Sequence, residues 1–412
     1  MKKKLIITII ACSTSFLSAW SQGNSEAVHA ILLQIENNNK ELKANQLNIA
    51  AQKLENKSSN NLSNPQINYA HLWDSKNSSQ TVGEMVISQG FDFPSLYITR
   101  GKMNRIKAKA LDAEARTLRQ QILLQAQELC LDIIMLHQQQ QLLKDRLNNA
   151  EELAALYKRR LETGDANVLE TNKINLELLN VRTEARATQT AIHSKIQELI
   201  TLNGNQPLTS EHSFVEGEVN QPAAWGLVEY PTVSLPQNFT SLCEELVQND
   251  PSVQSSISQS QAAQKQISVS KQGWLPSLEV GYRRNTESGH PLNGVVVGLS
   301  LPIFENSGKV KAAKAQALRS DFEKDNTMLQ IRNNLWNLYE EACSVQTSIK
   351  EYQEAFEQQQ DLTLLKRALE GGEISMIEYF VEVAVIYQSH SNLIQLENQY
   401  QKAMARIYQS KL

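Results

Sequence analysis

The sequence predicts a mainly α-helical protein with membrane β-strands, built as a duplicated unit of helix, β-hairpin and long helical hairpin. Three observations predict this fold class. Landmark residues recur at two closely similar offsets along the 412-residue chain. Two long stretches space their apolar residues by four and three, as a coiled-coil seam does. Two pairs of short segments alternate apolar and polar residues, which is typical of membrane β-strands.

The internal repeat is defined by landmark pairs that share two closely similar offsets. These pairs are Lys40 with Pro251 and Pro65 with Pro276, both at 211 residues, and Pro94 with Pro302 and Gly164 with Gly372, both at 208 residues. The offset changes once, by three residues, between Pro65 and Pro94. A hairpin loop of different length in the two halves explains that change.

This repeat divides the sequence into four predicted parts. They are a signal peptide over 1–21, a first repeat over 22–204, a linker over 205–240 and a second repeat over 241–412. The linker contains four prolines and little periodicity, and so predicts a belt between the halves with no separate core.

The first residues resemble an export signal. Lys2, Lys3 and Lys4 precede an apolar run over 5–11, and Ala19-Trp20-Ser21 fits the small-x-small rule for cleavage after Ser21. An alternative is a lipoprotein signal in which Cys12 is acylated. No later segment approaches the ~18 apolar residues of a membrane-spanning helix. Both alternatives predict export from the cytoplasm. Since no later segment is apolar enough for a membrane-spanning helix, any membrane crossing is expected to be made by β-strands.

Each repeat is predicted to begin with a helix, over 26–59 and 241–272, followed by a β-hairpin, over 65–93 and 276–301. The apolar residues fall on one side of each strand: Ile67, Tyr69 and Trp73; Met85, Ile87, Phe91 and Phe93; Leu278, Val280 and Tyr282; Val295, Val297, Leu299 and Leu301. Four strands cannot close a barrel, and an open sheet edge is not tolerated in lipid. Several chains are therefore expected to share one barrel.

The long helical hairpins follow. The first is predicted as a helix over 96–162, a turn at Gly164 and a return helix over 168–202. The second has a helix over 305–369, a turn at Gly372 and a return helix over 377–407. Apolar residues of the long helices follow 4-3 spacing, as in Ile122, Ala126, Leu129 and Ile133, and in Ile331, Leu335, Leu338 and Ala342.

No pattern in the sequence predicts chemistry. The net charge of −4 comes without a basic stripe, which argues against nucleic acid as a partner. The seven histidines are dispersed, and the cysteines after Cys12 stand singly as Cys130, Cys243 and Cys343. Phosphate-binding glycine loops and hydrolase or zinc-protease motifs are missing from the sequence. We therefore expect no enzyme activity, no catalytic residue, no cofactor and no metal.

Two copies of helix, β-hairpin, long helix, glycine turn and return helix resemble the TolC family of outer-membrane efflux proteins. The resemblance covers Gln22–Leu412, and its most specific parts are the paired glycine turns and the segment Ser88–Tyr97 that leads from strand to helix. It implies a homotrimer whose twelve-stranded outer-membrane β-barrel continues as a periplasmic α-helical coiled-coil barrel. The implied partners are outer-membrane lipid, a periplasmic adaptor protein and an inner-membrane pump.

The same resemblance implies roles for residues at the turns. Five residues correspond to the tips that meet the adaptor: Gly164, Asp165, Gly371, Gly372 and Glu373. Glu378 lies where family members can carry a pore-constricting carboxylate, and Glu170 is its counterpart in the first repeat. The alternatives are ordinary helix-hairpin turns and solvated surface carboxylates.

The resemblance implies a passive exit duct of a tripartite efflux pump. The expected pump is of the resistance-nodulation-division type, with heavy metals or drugs as substrates. Two alternatives stay open. One is a periplasmic coiled-coil structural or adaptor protein without a pore, which would explain the seams and the export signal. The other is the exit duct of a type I protein secretion system.

Overall fold

A computed structural model describes residues 24–73, 81–165, 167–208, 227–287, 290–357 and 362–412. The predicted signal peptide, with Cys12, and residues 209–226 of the predicted linker lie outside the described residues. The chain forms two compact units. Unit 1 contains the described residues up to Leu42, Arg119–Leu246 and Asn333–Leu412, and unit 2 contains Lys43–Leu118 and Val247–Arg332.

The two halves of the chain carry the same succession of elements. The first half contains α1 (Asn24–Asn38), α2 (Lys40–Ser58), β1 (Gln66–Trp73), β2 (Thr81–Phe91), α3 (Pro94–Thr163) and α4 (Val168–Leu202). The second half contains α5 (Phe239–Asn249), α6 (Pro251–Gln272), β3 (Ser277–Glu287), β4 (His290–Ser300), α7 (Lys309–Glu357), α8 (Leu362–Glu370) and α9 (Met376–Ile407), and then a short 3-10 turn (Gln409–Lys411). Residues 227–238 of the predicted linker contain neither helix nor strand.

Each segment predicted as one opening helix is divided into two. The break falls at Asn39 in the first half and at Asp250 in the second, 211 residues later. Asn39 Oδ1 accepts a hydrogen bond from the Leu42 backbone N–H (2.9 Å), and Asp250 Oδ1 accepts from Ser252 N–H (2.8 Å). These side chains satisfy N–H groups that the first turn of a new helix leaves unpaired. The break is therefore part of the repeat.

The four strands of unit 2 form one antiparallel sheet in the order β1-β2-β3-β4. The two hairpins are joined by pairing of β2 with β3, which runs from Val82 opposite Glu287 to Phe91 opposite Leu278. Among the described strands, β1 and β4 therefore each have one unpaired edge.

The cross-strand register places most apolar side chains on one face of this sheet, which we call the apolar face. Its members are residues 67, 69, 71 and 73 of β1, the odd-numbered residues 81–91 of β2, the even-numbered residues 278–286 of β3 and the odd-numbered residues 291–299 of β4. Many of them are exposed, and Val295 is 78% exposed. The opposite face carries Glu84, Glu279 and Arg283.

The connection from β2 into α3 is fixed by the segment noted in the sequence. The Asp92 carboxylate pairs with Arg100 (2.6 Å), and the Asp92 backbone N–H donates to the Tyr97 hydroxyl (3.1 Å). Leu96 is buried against Met103 and Val269, so that α3 packs on α6. Strand and helix are thus joined without a flexible linker.

In unit 1 the helices α1, α3, α4 and α9 are tied by buried apolar residues and by ion pairs. Two of the three Arg119 guanidinium nitrogens, Nε and Nη2, contact the Glu36 carboxylate at 2.6 Å, and the Asn39 amide donates to the Leu202 carbonyl (2.9 Å). Cys130 is fully buried, and burial raises the pKa of its thiol to about 12.

No helix among the described residues combines the length and the apolarity needed to cross a membrane.

Candidate functional site: the two helical tips

Both long helical hairpins turn through the same backbone motif, although its flanking residues differ. Gly164 (φ +83°) and Gly372 (φ +76°) have left-handed conformations. The residue after each glycine donates its N–H five residues back, from Asp165 to the Arg160 carbonyl (2.7 Å) and from Glu373 to the Ala368 carbonyl (2.8 Å). This is the Schellman ending of a helix, in which a glycine avoids the Cβ penalty of positive φ.

The return helices also begin alike. Asn167 Oδ1 accepts from the Leu169 N–H (2.5 Å), while the Glu170 carboxylate accepts from the Asn167 N–H (3.1 Å). In the second tip Ser375 Oγ accepts from the Glu378 N–H (3.2 Å), and Glu378 accepts from the Ser375 N–H (2.8 Å). Both are capping boxes. The spacing that drew attention to Glu170 and Glu378 therefore has a local structural cause.

Glu378 keeps its charge while it caps α9. The Ser375 backbone N–H, and then the Ser375 hydroxyl, hold the pKa of the Glu378 carboxyl below its ordinary value of 4.5. A carboxyl whose pKa is lowered on folding stabilises the fold fully above its unfolded pKa, and this contribution is lost as the pH falls through the folded pKa. The carboxylate is thus ionised at neutral pH and is exposed to solvent.

A buried hydrophobic cluster, which we call the tip cluster, joins the two hairpins within unit 1. It brings together residues of α3, α4, α8 and α9: Leu153, Tyr157, Ile174, Leu369, Met376, Tyr379, Val383 and Tyr387. Ile174 and Tyr379 are among its most buried members, at 0% and 1% exposure. Because interiors are close-packed, movement of one hairpin requires repacking of this cluster.

Two polar links cross between the hairpins beside the tip cluster. Lys366 of α8 pairs with Glu152 of α3, and this hydrogen bond raises the pKa of the Lys366 ammonium. The Tyr379 hydroxyl of α9 donates to Asn149 Oδ1 of α3 (3.1 Å). Burial raises the pKa of the Tyr379 phenol, which therefore stays protonated and able to donate at neutral pH. The sequence does not reveal these pairings, since the partners of each pair are more than 200 positions apart.

Arg146 holds the first hairpin together next to these links. Its guanidinium contacts Glu177 Oε1 through two nitrogens (2.6 and 2.9 Å) and Glu184 at 3.3 Å, and it lies 5.7 Å from the Tyr387 ring centroid. A cleft of about 400 Å³ opens beside it, and Asn149, Lys173, Asn180, Phe380 and Val381 are among its lining residues. Arg146 therefore connects α3, α4 and α9.

The structure places the predicted tip residues at the surface and in two separate turns. Asp165 Oδ2 accepts from the Thr163 hydroxyl (2.8 Å). A Cβ on Gly164 or Gly372 would meet no atom within 4 Å, so the glycines serve the backbone conformation. In the described part of the chain, no group of three or more histidine, cysteine or acidic side chains could hold a metal ion.

Comparison with protein families and with curated proteins gives two findings. Residues 242–410 match the family described as outer membrane efflux protein. No curated protein matches the chain.

Solved structures match nearly the whole chain at low sequence identity. CusC matches with a TM-score of 0.76 at 15% identity, covering 95% of both chains. VceC of Vibrio cholerae matches with a TM-score of 0.73 at 14% identity, covering 95% of this chain and 98% of its own. CmeC of Campylobacter jejuni matches with a TM-score of 0.70 at 14% identity, covering 93% of this chain and 85% of its own. At these identities the similarity establishes the fold.

Proposed function

We propose that three copies of this chain form the exit duct of a tripartite efflux pump, because residues 242–410 match the outer membrane efflux protein family and the described chain has the fold of outer-membrane channels. The predicted family resemblance and fold class are confirmed, as are the outer-membrane location and the efflux function that the family carries. The proposal adds the trimer, the partners and the passive, non-catalytic mode of action.

The observation that carries the proposal is the sheet of unit 2. It has an apolar, exposed face and two edges, β1 and β4, that lack partners among the described strands. A lipid-exposed edge leaves N–H and C=O groups unsatisfied, at several kcal/mol each. Pairing β1 of one copy with β4 of the next removes every edge, and three copies give twelve strands. A pore-less periplasmic coiled-coil protein would have no use for this face.

Detergent extraction of the outer membrane tests the assembly. We expect a complex with the mass of three chains, and cysteines introduced along β1 and β4 should form disulfides only between different chains. A monomer of one chain mass, extracted without detergent, would contradict the trimer and favour the pore-less alternative.

Substrate delivery is assigned to an inner-membrane pump acting through a periplasmic adaptor.

We assign the adaptor contact to the turn residues, and the narrowest charged ring to Glu378. Asp165 and Glu373 are exposed carboxylates that the Schellman turns present at equivalent positions. In a trimer, Glu378 would occur three times around the axis, and such a ring favours cations. Glu170 would form the corresponding ring of the first repeat.

The charge of Glu378 can be separated from its role as a cap. Glu378→Gln removes the charge but retains a side chain that can complete a capping box. We expect this change to lower the ratio of cation to anion permeability about threefold, the order expected for charges acting at close range through water. Reversal potentials in a salt gradient measure this ratio, and the wild-type preference should be present at neutral pH because the Ser375 cap lowers the pKa of the Glu378 carboxyl.

Glu378→Ala serves as the comparison, since it removes both the charge and the acceptor for the Ser375 N–H, which is half of the capping box. If Gln and Ala variants shift selectivity equally and only Ala increases proteolysis at the tip, the two roles are distinct. Unchanged selectivity in Glu378→Gln, with a shift in Glu170→Gln, would move the ring to the first repeat. No shift in either variant would remove both carboxylates from the conduction path.

A further inference from the structure

One cation interrupts the apolar face. Among the described strand residues of this face, Arg284 is the one Lys, Arg, Asp or Glu side chain. It stands opposite Met85 on β2 and Asn293 on β4, and it forms no ion pair with a described residue. A charge on a lipid-facing surface is costly unless a partner compensates it. Its partner must therefore come from outside the described chain.

The neighbouring Arg283 shows the contrast. It points to the opposite face, where its guanidinium contacts Glu84 Oε1 at 2.9 Å. Consecutive residues of a strand face opposite sides, so the two arginines are in different environments although they are adjacent in sequence. Arg283 is compensated by Glu84, whereas Arg284 faces the apolar side, where the described strand residues include no carboxylate.

A second hydrogen-bond donor lies beside Arg284. The Tyr282 hydroxyl donates to Asn293 Oδ1 (2.7 Å), which occupies the acceptor end of that amide. The Asn293 NH₂ group has no acceptor among the described residues and lies directly across the strand pair from Arg284. A guanidinium and an amide NH₂ together present several donors and no carboxylate. This combination suits a phosphate oxygen.

The height of Arg284 on the sheet agrees with a headgroup position. From Ser300, the last residue of β4, to Asn293 the strand advances about 24 Å at about 3.4 Å per residue. With a strand tilt of about 40° this corresponds to about 18 Å along the membrane normal, which places Arg284 toward the headgroup end of the ~25 Å apolar band of membrane strands. Aromatic residues cluster at the same end, where the His71 and Trp73 rings lie 6.0 Å apart. Such residues mark the interface.

We propose that Arg284 and Asn293 bind a phosphate of the phosphorylated glycolipid in the outer leaflet of the outer membrane. The inference rests on the proposed function, which puts the helices in the periplasm and hence the hairpin ends of the strands at the cell exterior. The Arg284 fork offers two parallel N–H donors to phosphate oxygens, and the Asn293 amide adds a third. Three copies of the chain provide three such sites around the trimer.

Lipid retention by the purified trimer tests the site. The trimer is reconstituted in nanodiscs of phosphatidylcholine that contain either bis-phosphorylated lipid A or its dephosphorylated form, and bound lipid is counted by native mass spectrometry. We expect wild type to retain the phosphorylated lipid and to release the dephosphorylated one. Arg284→Gln should weaken retention about tenfold, the scale of a hydrogen bond to a charged group. Asn293→Leu should weaken it less and keep the face apolar.

Arg283→Gln is the matched control, because it changes the adjacent arginine on the other face, and its lipid retention should equal that of wild type. Equal retention by wild type and Arg284→Gln, in trimers that still conduct ions, would overturn the phosphate site and leave the channel intact. In a parallel set of nanodiscs that contain phosphatidylglycerol, stronger retention of that lipid than of lipid A would also overturn it, in favour of an inner-leaflet lipid. A wild-type protein that never enters nanodiscs would overturn the proposed function itself.

Discussion

Val297→Lys is expected to prevent assembly of the channel in the outer membrane. Val297 lies on the apolar face of β4, is 73% exposed and stands opposite Val280. Lysine on the lipid side of a membrane strand costs about 2–4 kcal/mol near the bilayer midplane. The cost recurs in each of three chains, which exceeds what a marginally stable assembly tolerates. The yield of detergent-extracted trimer from outer membranes measures the effect.

The neighbouring Val296 provides the matched control. It belongs to the same strand but to the opposite face, opposite Gly281. In the proposed barrel Val296 faces water, so Val296→Lys should leave most of the trimer yield unchanged. Equal loss in both variants would mean that the sheet is not divided into a lipid side and a water side. Equal tolerance would mean that the apolar face does not contact lipid.

Tyr379→Ala is expected to weaken strongly the packing that holds the two helical tips together. The side chain is 1% exposed within the tip cluster, and its hydroxyl donates to Asn149. Truncating a buried aromatic ring to alanine costs about 3–5 kcal/mol, because the ring leaves a cavity. Packing between the hairpins should weaken, so we expect faster proteolysis at the turns and a larger single-channel conductance.

Tyr379→Phe separates packing from hydrogen bonding. It retains the ring and removes only the donor to Asn149, at a cost of about 1 kcal/mol. Proteolysis and conductance should then stay near the wild-type values. If the Phe and Ala variants behave alike, the hydroxyl link governs the tip. If neither differs from wild type, the tip cluster does not restrain the duct.

Because the sequence contains two repeats, it predicts that the same local structures occur once in each half of the chain. The 208-residue offset between Gly164 and Gly372 corresponds to two identical Schellman turns. The period-two pattern identified the side chains that share the apolar face, because alternation along a strand is a local property. The capping boxes were also readable from Asn167 with Glu170 and from Ser375 with Glu378, yet only a pore role or a solvated surface position was expected for these carboxylates from the sequence.

Contacts between distant segments could not be predicted in the same way. The break at Asn39 depends partly on the Leu202 carbonyl, which accepts from its amide, and a sequence pattern does not name such a partner. The pairing of β2 with β3, and the link of Lys366 to Glu152, likewise join segments about 200 residues apart. Coiled-coil spacing indicates that a helix has a partner but does not specify which residues meet.

Planar-bilayer recording of the purified, detergent-extracted protein tests the central claim most directly. The account predicts discrete, long-lived conductance steps of uniform size from the trimer, with a preference for cations that falls in Glu378→Gln. A protein that is extracted without detergent and produces no conductance steps at any concentration would contradict the outer-membrane channel.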